Sequence, residues 1–142
     1  MKGEMDMKRQ PLLFAAATVL AIGAVAGVEI LTSSGPLCAA AAKMSYSEDV
    51  VPILKGRCVS CHQSGGEGVE KSGLDLSSYQ GLMKGTKFGP MIIAGDPDSS
   101  NLMRLLDWRV DPKIRMPHGK KKLSTCDRDA IRTWIREGAK NN

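Results

Sequence analysis

The chain has 142 residues and a mass of 15.3 kDa, which suffices for one compact domain with a short extension but excludes a large multi-site enzyme or a transporter with many spans. Hydrophobic residues make up 42% and charged residues 25%, a globular composition that argues against a disordered chain. The formal net charge of +5 belongs to residues 43–142, because these hold 17 of the 20 Lys and Arg residues and 12 of the 15 Asp and Glu residues.

The first 42 residues have the pattern of an export segment. Basic residues precede a continuous apolar run of 17 residues, 12–28. This pattern predicts either a signal peptide, with an A-x-A cleavage site at 40–42 whose use would remove Cys38, or an uncleaved membrane-anchor helix. We therefore expect residues 1–42 to be a signal peptide or a hydrophobic anchor helix with a linker. Residues 43–142 are expected to form a domain on the extracytoplasmic (periplasmic) side, associated with the membrane.

The first half of that domain is predicted to hold two short helices. A helix is expected over 47–54, capped by its first serine and with acidic residues in its first turn. The glycine-rich stretch 65–73 is expected to be a loop. Ser77 or Ser78 begins a second helix, which ends at Gly85.

The second half of the domain continues the helical pattern. Ser99 is expected to cap a third helix, and 107–122 to form a long polar loop with two prolines. The sequence 124–127 opens a last helix, which ends at Gly138 and whose buried face is predicted to be Ala130, Ile131, Trp134 and Ile135. We therefore predict an all-α fold. Its short helices bury little apolar area, so a cofactor is expected to complete the core.

The sequence Cys58-Val59-Ser60-Cys61-His62 is the attachment motif of a c-type haem. Two cysteines three residues apart share one helix face and reach the two vinyl groups of one porphyrin. His62 follows on the same face, so its imidazole is directed at the iron. The motif predicts one covalently attached haem c held by Cys58, Cys61 and His62.

Two other uses of these cysteines are weaker. A zinc site would need Cys126 and one of the two histidines, His62 or His118, but the chain has no second C-x-x-C or H-x-H pair. A thioredoxin-type redox pair would need a preceding strand in a βαβ unit, and no strand pattern precedes the motif. A disulfide across C-x-x-C would be strained.

The second axial ligand of the iron is expected from the long loop. The leading candidate is Met116, because Pro117 stiffens the backbone after it and the loop can bring its thioether over the far haem face. His118 is the main competitor, and an open site is the third possibility. Methionines within helices are more often core filler. The candidates for this ligand are Met44, Met83, Met91, Met103, Met116 and His118.

The order of these motifs resembles class I c-type cytochromes, and more narrowly the planctomycete-type cytochrome c domain. The resemblance covers about residues 46–139 and implies a small helical haem domain with His62 as proximal and Met116 as distal ligand. Cys126 departs from the pattern and is expected to be a partly buried, inert thiol. The stretches that carry the resemblance are 52–54, 57–62, 73–76, 89–90, 95–102, 115–117, 123–124 and 130–139.

A haem with both axial positions filled has no place for a substrate, so we expect an electron carrier and no enzyme. The expected partners are a redox donor and an acceptor, including a membrane-bound electron-transfer complex, and no nucleic acid. Basic residues around Met116 predict a docking face for an acidic partner: Lys113, Arg115, Lys120, Lys121 and Lys122. The alternatives are a haem protein that binds a gas or peroxide at an open or labile sixth position, and a structural subunit of a redox complex.

Overall fold

The computed structural model describes Cys38 and residues 43–142. Regular structure in this part is helical, apart from one isolated bridge between Thr86 and Gly89. The apolar run 12–28 and the cleavage site at 40–42 lie outside the described residues. Within the described part, no helix combines the length and the apolar character needed to cross a membrane. The α-helices are α1 (Val51–Arg57), α2 (Glu67–Ser72), α3 (Tyr79–Lys84), α4 (Asn101–Leu106) and α5 (Thr125–Arg136).

The first helix begins with a π-helical turn, Tyr46–Val50, and continues directly into α1. Its cap is Ser45, whose hydroxyl accepts the Glu48 N–H at 3.3 Å. The prediction of a cap at Ser47 is wrong, because Ser47 lies within the π-helical turn. The hydroxyls of Ser45 and Ser47 both donate to the Asn142 carbonyl, at 3.0 and 2.9 Å, so the start of this helix is bonded to the far end of the chain.

Helix α2 occupies the middle of the stretch that was expected to be a loop, so that prediction is wrong. The glycines limit this helix: Gly66 precedes it in an extended conformation, and Gly73 ends it with a left-handed φ of 77°. Acidic residues in its first turn suit the helix dipole, and Lys71 pairs with Glu67 one turn away at 3.3 Å.

The next two helices follow the sequence more closely. Helix α3 begins after Ser78, whose hydroxyl accepts the Gly81 N–H at 3.0 Å, and ends at Gly85, as predicted. Helix α4 begins after Ser100 rather than Ser99. The buried Ser100 hydroxyl donates to the Asp96 carbonyl at 2.7 Å, so it ties down the preceding turn and caps no helix N–H.

The last helix, α5, confirms its prediction. Ser124 accepts the Asp127 N–H at 3.0 Å, and Ile131, Trp134 and Ile135 are buried against the π-helical turn and α4. Ala130 is half-buried rather than buried. The long loop 107–122 is irregular apart from a short 3-10 turn at Pro112–Ile114, and its Met116–Pro117 peptide bond is cis.

The two ends of the domain are joined by an aromatic cluster. Tyr46 lies 5.1 Å from Tyr79 and 5.4 Å from Trp134 between ring centroids. The Tyr79 hydroxyl donates to the Ala139 carbonyl at 2.7 Å, so the last turn of the chain is bonded to α3. Three of the few aromatic side chains are thus used to hold the terminal helices together.

A disulfide joins Cys126, in the first turn of α5, to Cys38. The expectation that Cys126 is a free thiol is therefore wrong. No local pattern predicts this pairing, because the two cysteines are 88 residues apart and one of the two predictions for residues 1–42, cleavage at 40–42, would remove Cys38. The bond encloses Cys58 and everything up to Met116 within one covalent loop.

Candidate haem site

A cavity of about 700 Å³ lies between the C-x-x-C-H segment and the long loop. Cys58, Cys61, His62 and Met116, the four residues predicted to hold the cofactor, all line it. The remaining wall includes a group of aliphatic side chains: Leu74, Leu76, Met91, Leu102, Leu105 and Leu106. The structure therefore brings the four predicted residues to one apolar space, while their roles as ligands stay predictions.

The two thiols lie on the turn that follows α1 rather than on the helix itself. The Cys58 N–H donates to the Leu54 carbonyl at 2.8 Å, which continues the helical pattern by one residue. The N–H groups of Cys61 and His62 then donate to the Cys58 carbonyl at 3.1 and 3.0 Å. This turn continues the helix-like spacing of Cys58, Cys61 and His62 beyond the end of α1.

The two cysteines are free and differ in exposure. Cys61 is exposed, whereas Cys58 is half-buried in the cavity wall. Burial disfavours the thiolate and raises the pKa of Cys58 to about 11, against the opposing effect of the nearby Arg57 charge. Cys58 is therefore a protonated thiol at neutral pH.

The ring and the backbone of His62 are each held by a hydrogen bond. Its Nδ1 lies 3.2 Å from the Leu74 carbonyl oxygen, and its own carbonyl accepts the Leu76 N–H at 2.8 Å. A carbonyl oxygen can only accept, so Nδ1 carries the proton and the lone pair of the neutral ring is on Nε2. This is the tautomer that a histidine needs to bind a metal through Nε2.

Gly68, in the first turn of α2, makes room for that ring. A Cβ at this position would lie 2.7 Å from both Cε1 and Nδ1 of His62, and 2.8 Å from the Cys61 carbonyl oxygen. Neither Gly68 nor the Leu74 carbonyl was predicted as part of the site. The unusual density of glycines over 65–73 is a local signal of close packing. The same pattern is also typical of a loop, so the sequence alone does not predict the contact with His62.

The candidates for the second axial ligand differ in whether they line the cavity. Met116 is half-buried and lines the cavity, as do the buried Met91 and the exposed His118. Met103 is completely buried in the core. The remaining two, Met44 and Met83, pack against the core and do not line the cavity.

The backbone of Met116 is hydrogen-bonded at both of its polar groups. Its N–H donates to the Leu105 carbonyl at 3.4 Å, and its carbonyl accepts the indole N–H of Trp108 at 2.9 Å. Trp108 is a further residue that sequence analysis missed. It lies at the start of the loop and belongs to no motif, so only the fold reveals its contact.

The residues around the cavity fit a haem. The apolar wall suits a porphyrin, the two thiols suit thioether bonds, and the tautomer of His62 suits an iron ligand. The zinc alternative required Cys126, whose sulfur is bonded to Cys38. Across Cys38 and residues 43–142, no three His, Cys, Asp or Glu side chains converge as a metal-binding group.

Exposed apolar and basic side chains form the rim of the cavity. Phe88 is 80% exposed and Ile114 is 53% exposed, and both line the cavity. The basic residues that line it are Arg57, Lys71, Arg104, Lys113 and Lys120.

The predicted basic face around Met116 therefore divides into two groups. Lys113, Lys120 and Lys121 are exposed, whereas the guanidinium of Arg115 and the ammonium of Lys122 lie over the ring of Trp108.

A small helical domain that brings a C-x-x-C-H segment and a methionine loop to one apolar cavity has the features of a c-type cytochrome. Residues 58–118 match the family model for planctomycete cytochrome C, which confirms the resemblance found in the sequence. This part of the chain is therefore similar to a cytochrome c domain of the planctomycete type. Such a domain implies haem c and electron transfer in general terms. No curated protein and no solved structure matches the chain.

Proposed function

We propose that the protein is a mono-haem cytochrome c that carries single electrons between redox partners outside the cytoplasm. The observation that carries the proposal is the convergence of Cys58, Cys61, His62 and Met116 on one apolar cavity. A bound haem supplies a reversible one-electron Fe(II)/Fe(III) couple. The chain supplies attachment, two axial ligands and a largely apolar wall.

In this proposal each thiol adds across one vinyl group of the porphyrin, so sulfur bonds to one vinyl carbon and hydrogen to the other. The addition needs no oxidant or reductant. Cys58 and Cys61 are both free of disulfides and both line the cavity, so both thiols are available in the folded chain. Covalent attachment keeps the group in a small domain whose own core is thin.

His62 is proposed as the proximal ligand and Met116 as the distal ligand. The hydrogen bond to the Leu74 carbonyl supports the first role, because it leaves Nε2 available and makes the imidazole a better electron donor. A methionine sulfur is a soft ligand that favours Fe(II), so the pair is expected to give a higher reduction potential than two histidines would. With both positions filled, the site carries electrons and does not catalyse bond chemistry.

The extracytoplasmic location is supported by the Cys38–Cys126 disulfide, since disulfides persist in oxidising compartments. The bond also bears on processing. Cleavage after residue 42 would remove Cys38, so we propose that the mature chain begins upstream of this cysteine. If the apolar run 12–28 is retained, the domain is tethered to a membrane and serves a membrane electron-transfer complex.

Redox-titrated absorption spectroscopy of the purified full chain, combined with intact mass, tests the proposal. We expect the mass of the mature polypeptide plus one haem, colour that resists extraction by acidified organic solvent, and a near-infrared thioether-to-iron band in the oxidised form. The Met116→Ala variant should lose that band and have a lower reduction potential. The matched Met83→Ala variant, which changes a methionine outside the cavity, should keep both.

Each of three results would contradict one part of the proposal. A mass equal to the bare polypeptide excludes covalent haem. A high-spin ferric spectrum in the unchanged protein excludes the His62–Met116 pair and favours the gas- or peroxide-binding alternative. A mature N-terminus at Lys43 excludes the retained disulfide and leaves the haem assignment untouched.

A further inference from the structure

Trp108 connects the start of the long loop to its middle. Its indole Nε1–H donates to the Met116 carbonyl at 2.9 Å, across eight residues of sequence. The Met116 N–H donates to the carbonyl of Leu105, in the last turn of α4. Both polar backbone groups of Met116 are therefore bonded to one short segment, 105–108.

Trp108 is itself held in place. Its backbone N–H donates to the Leu105 carbonyl at 3.2 Å, and its φ of 64° lies in the left-handed region, which a tryptophan rarely adopts. Two cations lie over its ring, the Arg115 guanidinium at 5.4 Å and the Lys122 ammonium at 5.7 Å from the centroid. Arg115 directly precedes Met116, so the same ring contacts the ligand loop twice.

Lys122 extends this arrangement to the end of α4. Its ammonium donates to the Asp107 carbonyl at 2.7 Å. The Asp107 carboxylate in turn pairs with Arg128 and Arg132 of α5. Lys122 therefore links the indole ring to Asp107, the residue that pairs the end of α4 with α5.

Trp108 is absent from the cavity wall, whereas Met116 and Pro117 line it. An indole outside the cavity that binds the methionine backbone can act on the cofactor only through that methionine. We propose that Trp108 is a positioning residue, which holds Met116 against the cavity and so determines how firmly its thioether occupies the distal position. This inference rests on the proposed role of Met116 as the distal ligand.

Competition by imidazole for the distal position tests the inference in the full chain carrying haem. In Trp108→Phe the ring remains and the N–H is lost. We expect imidazole to displace the thioether at about five- to tenfold lower concentration, which is the effect of removing one net hydrogen bond from the closed loop. The readout is the near-infrared thioether-to-iron band, recorded during an imidazole titration and accompanied by the reduction potential.

Trp134→Phe is the matched control, because the Trp134 indole also donates to a backbone carbonyl, that of Lys140, at 2.8 Å. Trp134 is buried in the core and lies outside the cavity wall. This variant should lower stability and leave the imidazole titration unchanged. If Trp108→Phe fails to fold, Lys122→Gln takes its place, since it loosens the ring and should produce a smaller shift in the same direction.

The outcomes separate this inference from the function on which it rests. If the unchanged protein lacks the near-infrared band, the ligation by Met116 fails and the inference fails with it. If the unchanged protein has the band and the titration of Trp108→Phe equals that of Trp134→Phe, the role of Trp108 is overturned and the ligation stands. A lower reduction potential with an unaltered titration also overturns it, because the indole would then act on the haem by another route.

Discussion

At the scale of single residues, the site depends on neighbouring groups that are not themselves reactive. The His62 ring is oriented by a backbone carbonyl and lies against a glycine, and neither contact involves a reactive side chain. These neighbours determine whether the imidazole presents Nε2 to the cavity. The functional motif is therefore longer than its five residues and extends to Leu74.

Gly68→Ala tests this dependence on close contact. A methyl group 2.7 Å from the His62 ring forces either the ring or α2 to move, and the contact between Nδ1 and the Leu74 carbonyl is lost with the movement. We expect a loss of about 1–3 kcal/mol in the free energy of unfolding, the usual cost of overpacking. Urea unfolding measures that loss, and the visible spectrum of the haem-loaded protein reports the changed axial ligand.

Gly56→Ala is the control for that experiment. Gly56 lies within α1, and a Cβ there would meet no atom within 4 Å. Alanine should therefore stabilise the helix by about 1 kcal/mol at most and leave the spectrum unchanged. The role assigned to Gly68 is refuted if the two variants have the same spectrum and the same stability.

At the scale of helices, α4 and α5 are joined by a carboxylate. The Asp107 side chain is 9% exposed and pairs with Arg128 at 2.8 Å and with Arg132. Burial by itself raises the pKa of Asp107, but the hydrogen bonds and charges of the two arginines outweigh it and lower the pKa below its usual value. This pairing holds the start of the ligand loop against the last helix.

The lowered pKa predicts a pH dependence of stability. The unfolded chain binds a proton to this carboxyl at higher pH than the folded chain does, so the contribution of Asp107 is present above the unfolded pKa of about 4. It is lost as the pH falls through the folded value. Asp107→Asn should lower the free energy of unfolding by about 2 kcal/mol at pH ~7, and by less at pH ~3.

Urea unfolding followed by far-ultraviolet circular dichroism measures this difference across the pH series. Asp98→Asn is the matched control, because the Asp98 carboxylate also pairs with Arg132, at 3.2 Å, but is 79% exposed. It should change stability by less than about 0.5 kcal/mol. A difference between Asp107→Asn and the unchanged protein that does not vary with pH would contradict the assignment.

At the scale of the whole molecule, local signals predicted the helical class and the elements with complete local signatures. Helix α5 has its cap, its apolar face and its terminal glycine within one stretch of sequence, and it was predicted correctly. The errors come from contacts between distant residues. Asn142 bonds to both Ser45 and Ser47, the turn at Asp96 engages Ser100, and Cys38 pairs with Cys126.

The same distinction applies to the candidate site. Cys58, Cys61 and His62 were identified from spacing, because their chemistry is local. The placement of Met116 in a loop was also inferred from its neighbours. The indole of Trp108 and the small size of Gly68 matter only because the folded chain brings them to these residues, and a single sequence carries no measure of that proximity.

The final prediction concerns the position of positive charges relative to the rim of the cavity. Lys113 and Lys120 line the cavity and are exposed, whereas Lys55 and Lys84 are exposed and do not line it. If electrons pass through this rim, Lys113→Glu with Lys120→Glu should slow oxidation of the reduced protein by the anion hexacyanoferrate(III). We expect a slowing of about threefold or more at low ionic strength, and a smaller effect as salt screens the charges.

Lys55→Glu with Lys84→Glu changes the net charge by the same amount and is the matched control. The control pair should reduce the stopped-flow rate much less, because its charges are not at the cavity. With the cationic oxidant tris(phenanthroline)cobalt(III), the variant Lys113→Glu with Lys120→Glu should react faster than the unchanged protein, since like-charge repulsion at the rim is removed. Equal rates for the two pairs would mean that net charge alone governs encounter and that the rim is not the path of electron transfer.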